Sequence, residues 1–451
     1  MQAACMARNN PQTALVLGLG ATGLSCARYL SAHGYRVRVA DSRSAPPMLS
    51  SLRSEFPDMP VHTGPWDSRV FRDADLLVVS PGLSLRDPEI AAALAAGATA
   101  VGDIELFARA ATAPVIAITG ANGKSTVTTL AGEICRAAGL DAAVGGNIGI
   151  PALDLLRHPE PDVYVLELSS FQLETTFSLN ARSATVLNIT PDHMDRYRNI
   201  EEYAAAKERI FHGDGVIVLN RDDSRVMAMA RVGRRAMCFG LSQPRDESDY
   251  GLVRKGGDDW LTRGARAFMP VAELQLAGRH NVANALAAAA LTDVIGVPFD
   301  AMRRALSSFK GLRHRTEVVG ERDGVLWIND SKGTNVGATV AALNGMDRPV
   351  ILIAGGDGKG ADFSQLRGAV RDRVRGMVLI GRDAPLLEQA LGDLVPVVHG
   401  ADMRDAVQKA AALALSGDAV LLSPACASFD MFRNYEHRGD VFRDVVAKVI
   451  G

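Results

Sequence analysis

Three times along the chain an apolar run breaks into a glycine-rich loop and resumes as an Ala/Leu-rich helical pattern. The first unit reads as a strand at 14–18, a loop at 19–23 and a helix at 24–33. The second reads as a strand at 114–119, a loop at 120–124 and a helix to about 138. The third has a strand at 350–354 and a loop at 355–360, with later strands at 377–380 and 419–422. Strands that alternate with helices in this way predict parallel sheets with helical crossovers, an α/β fold. At roughly 150 residues per domain, 451 residues make about three domains. The first unit ends near 101–103, before a short helix at 104–110. The second ends near Gly311, after a helix at 300–309. Residues 236–276 break the rhythm with short alternating strands and a Lys255-Gly256-Gly257 turn, which reads as a small β insertion.

Composition narrows the function. A formal charge of −2 leaves no electrostatic footprint for nucleic acid or an anionic membrane. No run reaches the roughly 18 uncharged apolar residues of a membrane span. The longest candidate, 282–292, is Ala-rich, carries Asn284 and reads as a buried helix. The five cysteines, Cys5, Cys26, Cys135, Cys238 and Cys426, are scattered without a CxxC pair. They fit a reducing cytosol rather than a disulfide framework or a zinc site. Residues 1–12 hold one Arg and no apolar stretch of signal-peptide length. The expectation is a cytoplasmic multidomain protein.

The motif richest in chemistry is Thr119-Gly120-Ala121-Asn122-Gly123-Lys124-Ser125-Thr126, between a buried strand and a helix. That context turns backbone N–H groups and a helix N-terminus toward phosphates. Lys124 adds a point charge and the hydroxyls reach Mg²⁺. The strict phosphate-loop pattern wants Gly where Ile118 stands. Glu167 closes the apolar run 163–167, a natural place for a Mg²⁺ ligand or for a surface ion pair. Asp192-His193-Met194-Asp195-Arg196 follows another apolar strand at 184–187, and His193 could bind metal or only hydrogen-bond within its loop. Lys207, in the helical stretch 201–211, looks by itself like a solvated charge. Three polar loops close strands of the third unit and suit a small carboxylate-bearing substrate. They contain Asp330-Ser331-Lys332-Gly333-Thr334-Asn335, Gly358-Lys359 and Ser423–Ser428. Gly18-x-Gly20-x-x-Gly23 with Asp41 matches a dinucleotide fingerprint without saying which nucleotide, so an oxidoreductase or a nucleotide-gated switch remains open here.

Taken in order, the phosphate loop, Glu167-Leu-Ser-Ser-Phe-Gln-Leu-Glu174, Asp192–Arg196, His280-Asn281-x-x-Asn284-Ala285, His314-Arg315, Asp330–Asn335 and Ser423–Ser428 resemble the Mur ligases of peptidoglycan precursor synthesis, across essentially the whole chain. The family's shortened GxxGK[ST] loop accounts for Ile118. The resemblance implies three domains, at 1–102, 103–311 and 312–451. Rossmann-like N- and C-terminal domains would flank a central ATPase domain. It implies ATP-driven joining of D-glutamate to UDP-N-acetylmuramoyl-L-alanine through an acyl phosphate, by a cytoplasmic monomer.

Carried over by motif, Ala21, Thr22, Asp41, Ser42, Arg43 and Gly82 would line the uridine pocket, with Asn147 and His193 at the sugar and peptidyl end. Gly120, Ala121, Asn122, Gly123, Lys124, Ser125 and Thr126 would hold the ATP phosphates. Asn281, Arg315 and Asp330 would hold the base, phosphates and ribose of the nucleotide. Two Mg²⁺ sites are implied, drawing on Ser125, Thr126, Glu167, His193 and a carbamylated Lys207. Lys332, Thr334, Lys359, Ser428 and Tyr435 would surround the glutamate.

Overall fold

The computed structural model describes residues 12–194, 196–276 and 278–450, so Cys5 and Asp195 lie outside the described residues. Three sheets follow one another along the chain. The first contains β1 (Thr13–Leu17), β2 (Arg36–Asp41), β3 (Val61–Thr63), β4 (Leu76–Val79) and β5 (Thr99–Val101) in the order β3-β2-β1-β4-β5, every pair parallel. Strand order reverses between β1 and β4, and the crevice beyond their carboxyl ends is where such sheets take ligands. The helix that follows β1 starts at Ala21, three residues earlier than the sequence pattern suggested, because Gly20 is still extended and acts as its N-cap.

The second sheet contains β6 (Val115–Thr119), β7 (Ala142–Gly146), β8 (Val163–Glu167), β9 (Ser183–Val186), β10 (Val216–Asn220), β11 (Ala236–Phe239), β12 (Tyr250–Lys255), β13 (Asp258–Arg263) and β14 (Arg266–Pro270). Its order is β14-β13-β12-β11-β10-β9-β6-β8-β7. Strand β6 lies inside the sheet between β9 and β8, and all five of its residues are buried, as a parallel strand covered on both faces must be. On one face Ile116 and Ile118 pack with Val127 and Leu130 of the helix Lys124–Ala137 and with the Ala-rich helix Arg279–Asp293. The small side chains of Ala287, Ala288, Ala289 and Ala290, all fully buried, let that helix approach closely. The opposite face shares one continuous apolar cluster with the first sheet, from Ala14 and Val16 to Ala117, Leu166 and Tyr203.

The strands expected at 236–276 exist, but they do not form a separate insertion. Strand β11 pairs parallel with β10, and the antiparallel β12–β14 ribbon continues the same sheet. Met237, Phe239, Tyr250 and Leu261 enter the core of the central sheet, which fixes that register.

The third sheet contains β15 (Glu317–Arg322), β16 (Val325–Asn329), β17 (Val350–Gly355), β18 (Val374–Ile380), β19 (Val397–His399) and β20 (Ala419–Leu422), ordered β15-β16-β20-β17-β18-β19. Only β15 runs antiparallel within it. No described helix is long and apolar enough to cross a membrane, and the described cysteines are free thiols.

Candidate active site

Strand β6 delivers the phosphate loop. Gly120 (φ +155°) and Gly123 (φ +83°) make its turn, and at Gly123 a Cβ would lie 2.6 Å from Asn284 Oδ1, so only glycine fits. Among the described residues no side chain caps the helix Lys124–Ala137, whose N-terminus opens at the loop. The Lys124 ammonium folds over the loop onto the carbonyls of Gly120 and Ala121, both at 2.9 Å. Ser125 and Thr126 are buried at the loop's floor.

Two other elements close on this loop. Arg315 donates to Ser125 Oγ at 2.7 Å, and Asn335 donates to Asp192 Oδ2 at 3.1 Å. The third sheet's loops thus rest on the central domain around a cavity of about 420 Å³. Its walls include Ala121, Asn122, Gly123, Lys124, Asn147, Glu167, His193, Arg315, Lys332, Thr334 and Lys359.

A second cavity, of about 600 Å³, lies beyond β1 and β4. Ala21, Thr22, Asp41, Ser42, Arg43 and Gly82 line it, together with Asn147. Asp41 organises its rim. The Leu19 N–H donates to Asp41 Oδ2 at 2.7 Å, and Arg43 grips the carboxylate through Nε and Nη2. Burial opposes ionisation of Asp41, but Arg43 and the backbone donors outweigh it and hold its pKa at about 2.

Glu167 ends β8 between the cavities. Asn147 donates Nδ2 to its Oε1 at 2.7 Å, while its buried Oε2 has no hydrogen-bond partner among the described residues. Burial works against its charge, yet Lys124, Ser125, Asn147 and Arg315 keep its pKa below the usual carboxylate value. An ionised, half-satisfied, buried carboxylate is what a hard cation needs. His193 sits in a left-handed backbone conformation, φ +57°. Burial and the ammonium groups of Lys124 and Lys359 lower its pKa against the pull of Asp192 and so favour the neutral imidazole. Among the described residues no three His, Cys, Asp or Glu side chains cluster as a self-sufficient metal centre. A Mg²⁺ that arrives with a polyphosphate needs only one or two protein ligands, so this donor set fits such an ion.

Lys207 lines neither cavity. It lies buried behind the phosphate loop, donating to Gly120 O at 2.9 Å and Thr119 Oγ1 at 3.3 Å, with Nζ 4.6 Å from the Tyr203 ring centroid. Burial, reinforced by Lys124, pushes its pKa well below that of a free lysine. The solvated charge that the sequence alone suggested is therefore overturned. The helix Ile200–Glu208 gives way to a 3₁₀ turn at Arg209–Phe211, and that segment lies across the sheet's underside.

Some expected ligands lie outside the cavity walls. Asp330 is buried, accepting from Ser423 Oγ at 2.7 Å and the Thr316 N–H at 3.1 Å. Burial raises its pKa to about 6. It braces the backbone beside Arg315. Tyr435 stacks under Lys332, whose Nζ is 3.7 Å from the ring centroid. Burial and the neighbouring Arg315 lower the Lys332 pKa to about 8. Ser428 is buried beyond the wall, and Asn281 accepts from Asn284 Nδ2 at 3.1 Å below it. Sequence reasoning assigned no role to Asp362 and Gln365, which line the first cavity. Both follow a glycine-rich loop, where nothing local distinguishes a cleft-facing polar residue from a solvated one.

Three family models match in succession: "Mur ligase MurD-like, N-terminal domain" over residues 12–102, "Mur ligase middle domain" over 118–292 and "Mur ligase, glutamate ligase domain" over 314–426. The UDP-N-acetylmuramoylalanine–D-glutamate ligase of Methylobacillus flagellatus is 56% identical over 431 residues, 95% of each chain. Its counterpart from Thiobacillus denitrificans is 54% identical over 458 residues, 96% of each. Among solved structures, a pseudomurein peptide ligase type C from Methanothermus fervidus aligns with a TM-score of 0.63 at 18% identity, over 97% of this chain and 100% of that one. The UDP-N-acetylmuramate-alanine ligase of Thermotoga maritima aligns at 0.61 and 18%, over 98% and 100%. These structural likenesses bear on the fold, and the three-domain α/β architecture agrees with them. The chain belongs to the Mur ligase family, as a MurD-like member.

Proposed function

We propose that this enzyme joins D-glutamate to UDP-N-acetylmuramoyl-L-alanine at the expense of ATP, in the cytoplasm and as a monomer. The observation that carries the proposal is Asn147, which lies on both cavities. A nucleotide-sugar seated against Asp41 and Arg43 would pass its peptidyl end by Asn147 to the phosphate loop. The domain joints at 102/103 and 311/312 belong to the same proposal, supported by the sheet spans on either side.

The substrate carboxylate would attack the γ-phosphoryl group of ATP, giving an acyl phosphate and ADP. The glutamate amine would then attack the acyl carbon, and phosphate would leave from a tetrahedral intermediate. Bringing a carboxylate to a polyphosphate costs about 4 kcal/mol per charge pair at 4 Å and an effective dielectric near 20. Lys124, Arg315 and the helix N-terminus lower that cost at the loop. Mg²⁺ would neutralise charge on the phosphate oxygens, in two sites held by Ser125, Thr126, Glu167, His193 and Lys207. For Lys207 to join them its neutral amine must add CO₂, forming an N–C bond and releasing one proton, which makes a carbamate oxygen donor. Burial beside Gly120 favours that neutral amine. Lys332, Thr334 and Lys359 would hold the carboxylates of glutamate, with Tyr435 supporting Lys332 from below and Ser428 behind the wall. Asn281 and Asp330 would support the nucleotide.

The test is phosphate release with ATP, Mg²⁺ and UDP-N-acetylmuramoyl-L-alanine, offering D-Glu, L-Glu, L-Lys and meso-diaminopimelate separately. Release with D-Glu alone is expected. Release with another of these amino acids would keep the mechanism but overturn the D-glutamate assignment of the third-domain pocket.

A further inference from the structure

A single guanidinium ties the wall of the nucleotide-sugar cavity to His193 from behind. Arg196 donates Nη1 to the Pro81 carbonyl at 3.1 Å and Nη2 to Glu174 Oε2 at 2.6 Å. Pro81 lies in the wall of the second cavity, whereas His193 lines the first cavity and not the second. The guanidinium carbon lies 4.2 Å from the Phe171 ring centroid, and the His193 ring packs edge-on against the same Phe171 at 4.7 Å. The Arg196 N–H also donates to the His193 carbonyl at 3.0 Å. The arrangement therefore reaches His193 twice, through its backbone and through the ring it leans on.

We propose that Arg196 is a positioning residue that transmits occupancy of the uridine cavity to His193. The proposal rests on the cavity beyond β1 and β4 being a uridine-nucleotide pocket. Two features make the link stiff. A planar fork with one arm on each partner cannot follow one without pulling on the other, which a point-charge lysine could do. The Arg196 and Glu174 side chains are only 14% and 20% exposed, so solvent screens the pair little. Arg86 supplies an outer clasp, donating to the Arg196 carbonyl and pairing with Glu202. Its side chain is 56% exposed, so that clasp adds little. His193 has little slack of its own, because a left-handed backbone at a non-glycine residue persists only where its surroundings hold it.

The probe is UDP alone, which lacks the sugar and peptide that would reach His193 directly. In full-length protein labelled with ¹³C-histidine, the His193 signal is assigned by its loss in His193→Gln. Calorimetry runs in parallel to report UDP binding. In the wild type UDP is expected to bind and to shift the His193 signal. In Arg196→Met, which keeps a stem over Phe171, UDP still binds but the shift is lost. Arg196→Lys, which keeps the charge without the fork, restores it only in part. With full substrates, kcat falls about ten- to a hundredfold in Arg196→Met, the range for a lost hydrogen bond to a charged group, while KM for ATP stays put. UDP binding with an unmoved His193 signal in the wild type, or the same shift in Arg196→Met, overturns the coupling alone. Failure of UDP to bind the wild type overturns both the coupling and the pocket assignment beneath it.

Discussion

The Asn147 side chain donates to Glu167 Oε1 at 2.7 Å, and Asn147 is also the residue on which the two cavities meet. A donor to the charged form of a carboxylate lowers its pKa, so removing it raises the pKa. Asn147→Ala is therefore expected to move the acidic limb of the kcat/KM profile to higher pH. Activity that needs ionised Glu167 is then lost earlier as pH falls. The loss at neutral pH should be about ten- to a hundredfold, for one charge-assisted hydrogen bond. A pH series of phosphate-release rates checks it. A lower rate with an unmoved acidic limb would mean that Asn147 serves the substrate only.

Lys124→Ala is expected to abolish turnover while the fold survives. Among the described residues the ammonium hydrogen-bonds only to carbonyls of its own loop, so the fold loses little with it. The transition state loses a charge aimed at the phosphates, an effect of about a thousandfold or more for a cationic side chain on a transferring phosphoryl group. Circular dichroism and phosphate release, measured on one preparation, separate the two effects. Ligation at the wild-type rate would remove Lys124 from the mechanism.

Lys207 is expected to carry a carbamate. Isotope-labelled bicarbonate should give a ¹³C signal that is absent in Lys207→Met, and that variant should fold but lose activity. Absence of the signal from active wild-type protein would leave Lys207 as a buried amine bracing Gly120.

The strand–loop–helix units were legible because burial on both faces of a parallel strand writes a continuous apolar run, as at Val115–Thr119. Lys207 was not legible from residue pattern alone. Even so, Tyr203, Ile210 and Phe211, at i−4, i+3 and i+4 from it, are buried on the same stripe. A lysine centred on an apolar stripe was the signal available. Arg196 left no such mark, because its partners at Pro81 and Glu174 are distant in sequence and only the fold assembles them. The pairing of β11 with β10 was hidden for the same reason, since alternation gives a strand's faces and not its neighbour.

The contribution of Asp103 to stability should fall as pH rises through the range of its own titration. This residue opens the helix Asp103–Ala110 and is fully buried, with Gln172 Nε2 donating to Oδ2 at 2.9 Å and Oδ1 without a hydrogen-bond partner among the described residues. Burial raises its pKa to about 6, against the Gln172 and backbone donors, from an ordinary value of 3.8. The folded state therefore holds a proton that the unfolded chain releases between those two values. The stabilisation is complete below the unfolded pKa and is lost as pH climbs through the folded one. A shift of this size is worth about 3 kcal/mol. Asp330, also raised to about 6, contributes with the same sign, whereas His193, His280 and His314, whose burial lowers their pKa, contribute with the opposite one. Asp103→Asn keeps the acceptor for Gln172 and removes the titration. Its melting temperature relative to the wild type should therefore rise between pH 4 and 7. A variant whose melting temperature follows the wild-type curve through that range would show that Asp103 ionises in the folded protein as readily as in the unfolded chain.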